Sequence, residues 1–212
     1  MLSSPATAHL SQPLDRPHEP VILRGPAIAR LTDAEFYELC QENPQFQLER
    51  DADHHLLIVP PAGSDSSESS LESQGQLWLW NRQTRLGHVY ESSAGFTLPD
   101  TAVRSPDAAW LSNAAWDRLT PEQRRKFPPV CPEFMLEVKS PSDALTDLQA
   151  KMEEYLANGM QLGFLLHIEA ETAYVYRPGQ PAETVRGYDQ ELSGEPVLPG
   201  FRLDLRPLRR AA

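Results

Sequence analysis

Asp107, Glu137 and Lys139 are the residues whose types and spacing could do chemistry. Glu137 and Lys139 close the most strand-like stretch of the chain, Glu133-Phe134-Met135-Leu136-Glu137-Val138-Lys139. Side chains alternate faces along a strand, so these two project from the same face, about 7 Å apart. Val138 between them then points into the opposite core, with Phe134 and Leu136. Charges held in an apolar strand are costly unless they are paired or bind a metal, so their presence invites a reason. Phosphodiester hydrolysis is one. It needs charge neutralisation at the phosphoryl oxygens and an activated water. A Mg²⁺ (or Mn²⁺) held by one or two carboxylates supplies both while keeping several waters. In that reading Glu137 ligates the ion and Lys139 positions or deprotonates a water bound to it. Asp107 is the second ligand if its strand ends beside Glu137. From the residues alone the alternative is a structural Glu–Lys pair at a strand end, since the ExK tripeptide recurs often by chance.

The elements that must position these residues can be read from periodicity and caps. Thr32-Asp33-Ala34-Glu35 has the form of a capping box opening a short helix with Phe36, Leu39 and Cys40, stopped near Pro44. Phe46–Leu48 and Leu56–Val59 read as strands turned by Arg50-Asp51-Ala52-Asp53. A helix follows from about Ser64 to Asn81. Its expected apolar face carries Leu71, Trp78 and Leu79, with Gly75 permitting close packing, and Asp65, Glu68 and Glu72 form an acidic stripe. His88–Tyr90 and Gly95–Leu98 suggest a hairpin, and Asp107–Leu111 a buried strand end. After the Glu137 strand, an amphipathic helix from Ala144 to Asn158 buries Leu145, Leu148, Met152, Tyr155 and Leu156. Further strands are expected at 162–168, 173–176, 182–186 and 201–205. Strand–helix–strand order flanked by hairpins indicates an α/β (α+β) fold, a mixed β-sheet flanked by helices. Residues 1–30 read as a poorly ordered or extended segment, and 31–208 as a single domain.

Composition narrows the class. A chain of 212 residues with 40% apolar and 23% charged residues can bury a substantial core. No apolar run approaches the roughly 20 residues that cross a bilayer, so no membrane partner is expected. The first twenty residues do not read as a secretory signal. Cys40 and Cys131 are too few and too distant for a disulfide framework or a four-ligand zinc site. The expected location is therefore cytoplasmic. The net charge of −11 is unusual for a protein that grips DNA, because phosphate neutralisation supplies most of that affinity. Basic residues would have to be segregated around the site, with Arg104, Lys151 and the Arg124–Lys126 cluster the candidates. His54-His55 falls in a predicted turn, and the four tryptophans read as core residues rather than a base-stacking set.

Arg104-Ser105-Pro106-Asp107, followed by Glu137-Val138-Lys139-Ser140-Pro141-Ser142-Asp143, resembles the paired motif of PD-(D/E)xK nucleases. From about Leu31 to Leu205 the chain resembles the Uma2 family, a bacterial group of restriction-endonuclease-like proteins. The match runs through Ile58 to Gly63, Ser105 to Leu111, Glu133 to Asp143, Lys151 to Leu156 and Tyr174 to Gly179. The resemblance implies a restriction-endonuclease-like fold, a divalent metal, DNA as substrate and a homodimer or larger homo-oligomer. Such nucleases carry a further acidic residue on the helix before the central hairpin. Here Asp65 stands where a glutamate is usual, with Glu68 and Glu72 as competitors. Similar nucleases also carry a polar–aromatic pair after the ExK strand. Lys151 and Tyr155 are that pair, able to contact a phosphate or steady Lys139, and Glu49 sits at a commonly acidic position. Three readings remain open: a metal-dependent endonuclease, a non-cutting nuclease-fold protein that binds nucleic acid or a protein partner, and, behind these, an unrelated structural or interaction domain whose ExK is accidental.

Overall fold

The computed structural model describes residues 20–209. Most of the segment expected to be loose, 1–19, lies outside the described residues. In its described part, 20–30, Val21–Leu23 forms β1, paired antiparallel with Leu56–Ile58. Asp33–Glu42 is α1, opened by the expected capping box: the Thr32 amide donates to Glu35 Oε2 at 2.8 Å and the Glu35 amide to Thr32 Oγ1 at 3.2 Å. Then come β2 (Gln47–Arg50), β3 (Leu56–Val59), α2 (Ser64–Thr84), β4 (Gly87–Glu91), β5 (Phe96–Thr97) and β6 (Val103–Arg104). β7 (Ala108–Ser112), α3 (Asn113–Asp117), β8 (Phe134–Val138), α4 (Leu145–Ala157) and β9 (Leu162–His167) form the centre. β10 (Thr172–Tyr176), β11 (Glu183–Arg186), β12 (Glu191–Ser193) and β13 (Arg202–Asp204) complete the described elements.

The main sheet has the order β11-β10-β9-β8-β7-β4, and only its β8–β9 pair is parallel. A parallel pair needs a crossover, and α4 provides it. Alternation then sorts the strands into two faces. Phe134, Leu136, Val138, Phe164 and Leu166 pack with Leu77 and Trp80 of α2 and with the C-terminal Phe201, Leu203 and Leu205. Met135, Ala109 and Leu165 pack with Met152 and Tyr155 of α4. Val138 joins the α2 side, as its place in the strand requires. Gly163 lets α4 approach β9, since a Cβ there would come within 2.4 Å of the Met152 methyl. A second sheet, β1-β3-β2-β6-β5, packs with α1 around Phe36, Leu48, Leu56 and Val103. The result is the mixed α+β architecture expected from the sequence.

Three local expectations are corrected. β4 and β5 do not form a hairpin: β4 pairs with β7 and β5 with β6, in different sheets. The two segments meet by packing instead, with Tyr90 and Phe96 edge to face at 5.2 Å. Arg50 is not a turn residue but ends β2, almost fully buried. Its guanidinium is satisfied there by the Leu31 and Thr101 carbonyls and the Asp33 carboxylate. The third correction concerns α2, whose expected apolar face points outward. Leu71, Trp78 and Leu79 are 69%, 51% and 52% exposed, and the buried face consists of Ser66, Ser69, Ser70, Ser73 and Leu77. Serines can face a core here because their hydroxyls bond the helix itself: Ser73 Oγ donates to the Ser69 carbonyl at 2.8 Å and Ser69 Oγ to that of Asp65 at 3.0 Å.

Candidate active site

The β7–β8 register pairs Ala108 with Leu136, so one residue further on Asp107 stands opposite Glu137. Directly opposed residues on one face have Cβ atoms about 5 Å apart. Asp107 is anchored twice. Its Oδ2 accepts from the Val138 amide at 2.7 Å, and its carbonyl accepts from Gln74 Nε2 of α2 at 2.7 Å. Glu137 is 5% exposed on the α4 side of the sheet. Its Oε1 accepts from Tyr155 Oη at 2.8 Å and pairs with Lys151 Nζ at 2.9 Å. Lys151 and Tyr155, one turn apart on α4, therefore converge on a single carboxylate oxygen.

Glu49 extends this cluster into the second sheet. Its Oε1 meets Lys151 Nζ at 3.2 Å and the Ser105 amide at 3.1 Å, and its Oε2 meets Arg104 at 3.2 Å. Arg104 in turn grips Glu154 of α4 through two bonds, 2.8 and 3.0 Å. Glu49 thus ties β2 to the Arg104-Ser105 segment that leads into Asp107. Glu154 and Gln74 were not singled out from the sequence, and Arg104 was expected only as a basic border residue. A signal for Glu154 did exist, because it lies three residues after Lys151 on α4 and so shares its side of the helix.

The charges explain themselves. Burial works against ionisation of Glu49, but Lys151 and Arg104 beside it prevail, and its carboxyl is held below the usual range. Glu137 is equally buried, and there burial prevails: Lys151 favours the charge, Glu49 opposes it, and the carboxyl is pushed up. Asp107 is pushed up to about 7, first by burial and then by the charge of Glu137. Lys151 is also buried, yet Glu137 and Glu49 together hold its ammonium above the ordinary lysine range.

Lys139 lies one residue beyond β8, and its amide continues the ladder by donating to the Leu166 carbonyl at 2.8 Å. Alternation puts it on the Glu137 face, but its Nζ turns aside to the Ser140 carbonyl at 2.8 Å. It lies near His167, whose ring is held below its usual value first by burial and then by the Lys139 charge. Asp65 is exposed in the first turn of α2, on the helix covering the opposite face of the sheet. Glu68 and Glu72 are exposed too, and Glu72 engages Gln76 at 3.1 Å. Lys151 is seated against Glu49 and Glu137 rather than against Lys139. Arg104 is likewise not a border residue but part of the buried network. Arg124, Arg125 and Lys126 line a shallow cavity of about 290 Å³ with Tyr37, Tyr90 and Trp116, and no site residue lines it.

Among the described residues no group of three or more histidine, cysteine, aspartate or glutamate side chains is placed to hold a metal ion. A two-carboxylate site is a different case, and the residues fit it. Asp107 and Glu137 each engage one oxygen in the hydrogen bonds above, leaving Asp107 Oδ1 and Glu137 Oε2 outside them. Four carboxylates (Glu49, Asp107, Glu137 and Glu154) surround two cations, Lys151 and Arg104, so the cluster has room for a divalent positive charge. A hard cation retaining several waters needs only one or two protein carboxylates. Among the described residues no helix is long and apolar enough to cross a membrane.

A solved structure from Anabaena variabilis ATCC 29413, titled as a "putative nuclease belonging to DUF820", superimposes with a TM-score of 0.69 at 20% identity. The match covers 84% of this chain and 97% of that one. Comparison with curated proteins yields no match. The Uma2 family, described as "Putative restriction endonuclease", matches residues 33–206, most of the chain, and the protein therefore belongs to the Uma2 family.

Proposed function

We propose that this protein is a metal-dependent endonuclease that hydrolyses DNA phosphodiester bonds with Asp107, Glu137 and Lys139. The observation that carries the reading is the opposition of Asp107 and Glu137 across β7 and β8, a half-buried and a buried carboxylate, both raised by loss of solvent and, for Asp107, by its neighbour's charge. Residues 31–208 act as one restriction-endonuclease-like unit. Asp107 and Glu137 would hold Mg²⁺ or Mn²⁺, which when bound neutralises phosphoryl oxygens and lowers the pKa of a water. Tyr155 and Lys151 fix the Glu137 carboxylate, and Glu49 fixes the segment that carries Asp107. Lys139 swings from the Ser140 carbonyl toward the shared face, where its ammonium orients the attacking water or the phosphate. Asp65, on the helix over the opposite face, would need a closer approach or a bridging water to serve as a further ligand. The proposed location is the cytoplasm, and cutting both strands of a duplex calls for two copies related by two-fold symmetry.

Plasmid nicking with Mg²⁺ and with Mn²⁺ tests the reading. Asp107→Asn, Glu137→Gln and Lys139→Ala should each lower it by about 100-fold or more, as loss of a transition-state contact does. Lys139→Ala should keep the circular dichroism of the parent. Nicking unchanged in all three would end the reading. The second function, a non-cutting protein that binds nucleic acid or a partner, draws on the Lys151 ammonium already seated against Glu137. Salt-sensitive DNA binding that Ca²⁺ strengthens, without cleavage in Mg²⁺ or Mn²⁺, would favour it.

A further inference from the structure

The outward face of α2 is the largest departure from what the sequence pattern predicts, and nothing in the described chain covers it. Leu71, Trp78 and Leu79 are more than half exposed, and Glu68, Glu72, Gly75 and Arg82 share their side of the helix, also exposed. Gly75 sits at the middle of this face, opposite the buried Ser73 and Leu77. A glycine inside a helix weakens it relative to alanine. Here neither a positive φ nor internal packing requires one, since an added Cβ would meet nothing within 4 Å. What a glycine does permit at an exposed position is the close approach of another backbone.

The residues around Gly75 are self-complementary. In an antiparallel pair of identical helices with a two-fold axis at one residue, positions equally far before and after that residue meet. Four residues either side of Gly75 are Leu71 and Leu79, leucine against leucine. Seven residues either side are Glu68 and Arg82, opposite charges. Three residues either side are Glu72 and Trp78, and the Arg82 guanidinium already lies over the Trp78 ring at 5.0 Å. A parallel pair would instead set Glu68 on Glu68 and Arg82 on Arg82.

We propose that the outward face of α2 is a self-association surface on which a second copy of the chain packs its own α2 antiparallel, about a two-fold axis through Gly75. It gives the two-copy arrangement of the proposed function a specific surface. It does not require the chemistry, because association is measured without DNA or divalent metal. The other exposed apolar strip, Val21 to Leu23 of β1, adjoins residues outside the described part and shows no such complementarity.

Sedimentation of the full chain should give twice its 23.8 kDa at concentrations where association is complete. Glu68→Arg and Arg82→Glu should each weaken association about tenfold or more, because each sets like charges together twice per pair. The double substitution restores the attraction and should return the dissociation constant to near that of the parent. In a Cys40→Ser, Cys131→Ser background, Gly75→Cys should oxidise to a covalent dimer, and Gln83→Cys, exposed but off the axis, should not. A monomer at all concentrations would overturn the proposal. So would a dimer indifferent to the charge exchange, or cross-linking at 83 but not at 75. Loss of nicking with association intact would strike the nuclease reading alone.

Discussion

The two faces of the main sheet solve the same packing problem in opposite ways. On the α4 face, the helix presents an ordinary apolar stripe, with Met152 and Tyr155 buried, and adds Lys151 to a network of three carboxylates, Glu49, Glu137 and Glu154, and Arg104. On the α2 face, the sheet contributes large residues such as Phe134, Leu136 and Phe164, and the helix meets them with serines and Leu77. Three large residues of α2, Leu71, Trp78 and Leu79, are left outside. The difference teaches that a core needs complementary volumes, not apolar residues from both partners. Where the strands supply the bulk, a helix of small residues fits, and its own apolar side is free for another purpose. Where charges are buried, they must be paired, and the helix that pairs them becomes the scaffold of the site.

The largest expected effect lies on the α4 face. Lys151→Met leaves Glu49 and Glu137 buried without their shared cation, and should cost about 3–5 kcal/mol in chemical denaturation, as broken buried pairs do. Lys139→Met removes a single hydrogen bond to a carbonyl and should cost about 1 kcal/mol or less. Equal losses would erase the distinction between the lysine that holds the carboxylates and the one proposed to act on a water.

Next in size is the pH dependence. Asp107 is raised from 3.8 to about 7, so the folded state binds its proton more tightly than the unfolded chain does. The stability linked to that proton is fully present below about pH 4 and is lost as pH rises through about 7. A shift of this size corresponds at most to about 4 kcal/mol, and partial solvent access reduces it to about 2. Asp107→Asn should therefore be more stable than the parent at pH 8, with the advantage gone near pH 4. Mg²⁺ should recover part of it for the parent at pH 8. An advantage independent of pH would separate Asp107 from this electrostatic account.

On the α2 face, Ser73→Leu should cost about 1–3 kcal/mol, because Ser73 is fully buried and the added volume has nowhere to go. The smallest effect is expected at Leu71→Ser. In dilute protein, where copies do not meet, its thermal midpoint should match the parent within the shift of about 0.5 kcal/mol typical of surface changes. A large loss there would mean that the outward apolar face serves the monomer, and the contrast between the helices would fail.

Several features were legible in the residues alone because their causes are local. The capping box of α1 is a hydrogen-bond pattern over four residues, and the common face of Glu137 and Lys139 follows from strand alternation. The stop near Asn158-Gly159 and the burial of Met152 and Tyr155 follow from helical periodicity. Family likeness added Glu49, Lys151 and Tyr155 as companions of the site, and the structure does bring them together. Tertiary structure decided the rest. The opposition of Asp107 and Glu137 depends on a register between strands separated by α3 and a long connection, which no local pattern specifies. The destination of a lysine tip depends on which carboxylates other elements bring within reach, so Lys151 and Lys139 look alike in sequence and differ in the fold. The orientation of α2 was hidden for a related reason. Periodicity reveals that a helix has two unlike sides, but which side turns inward is settled by the volume its partner already fills.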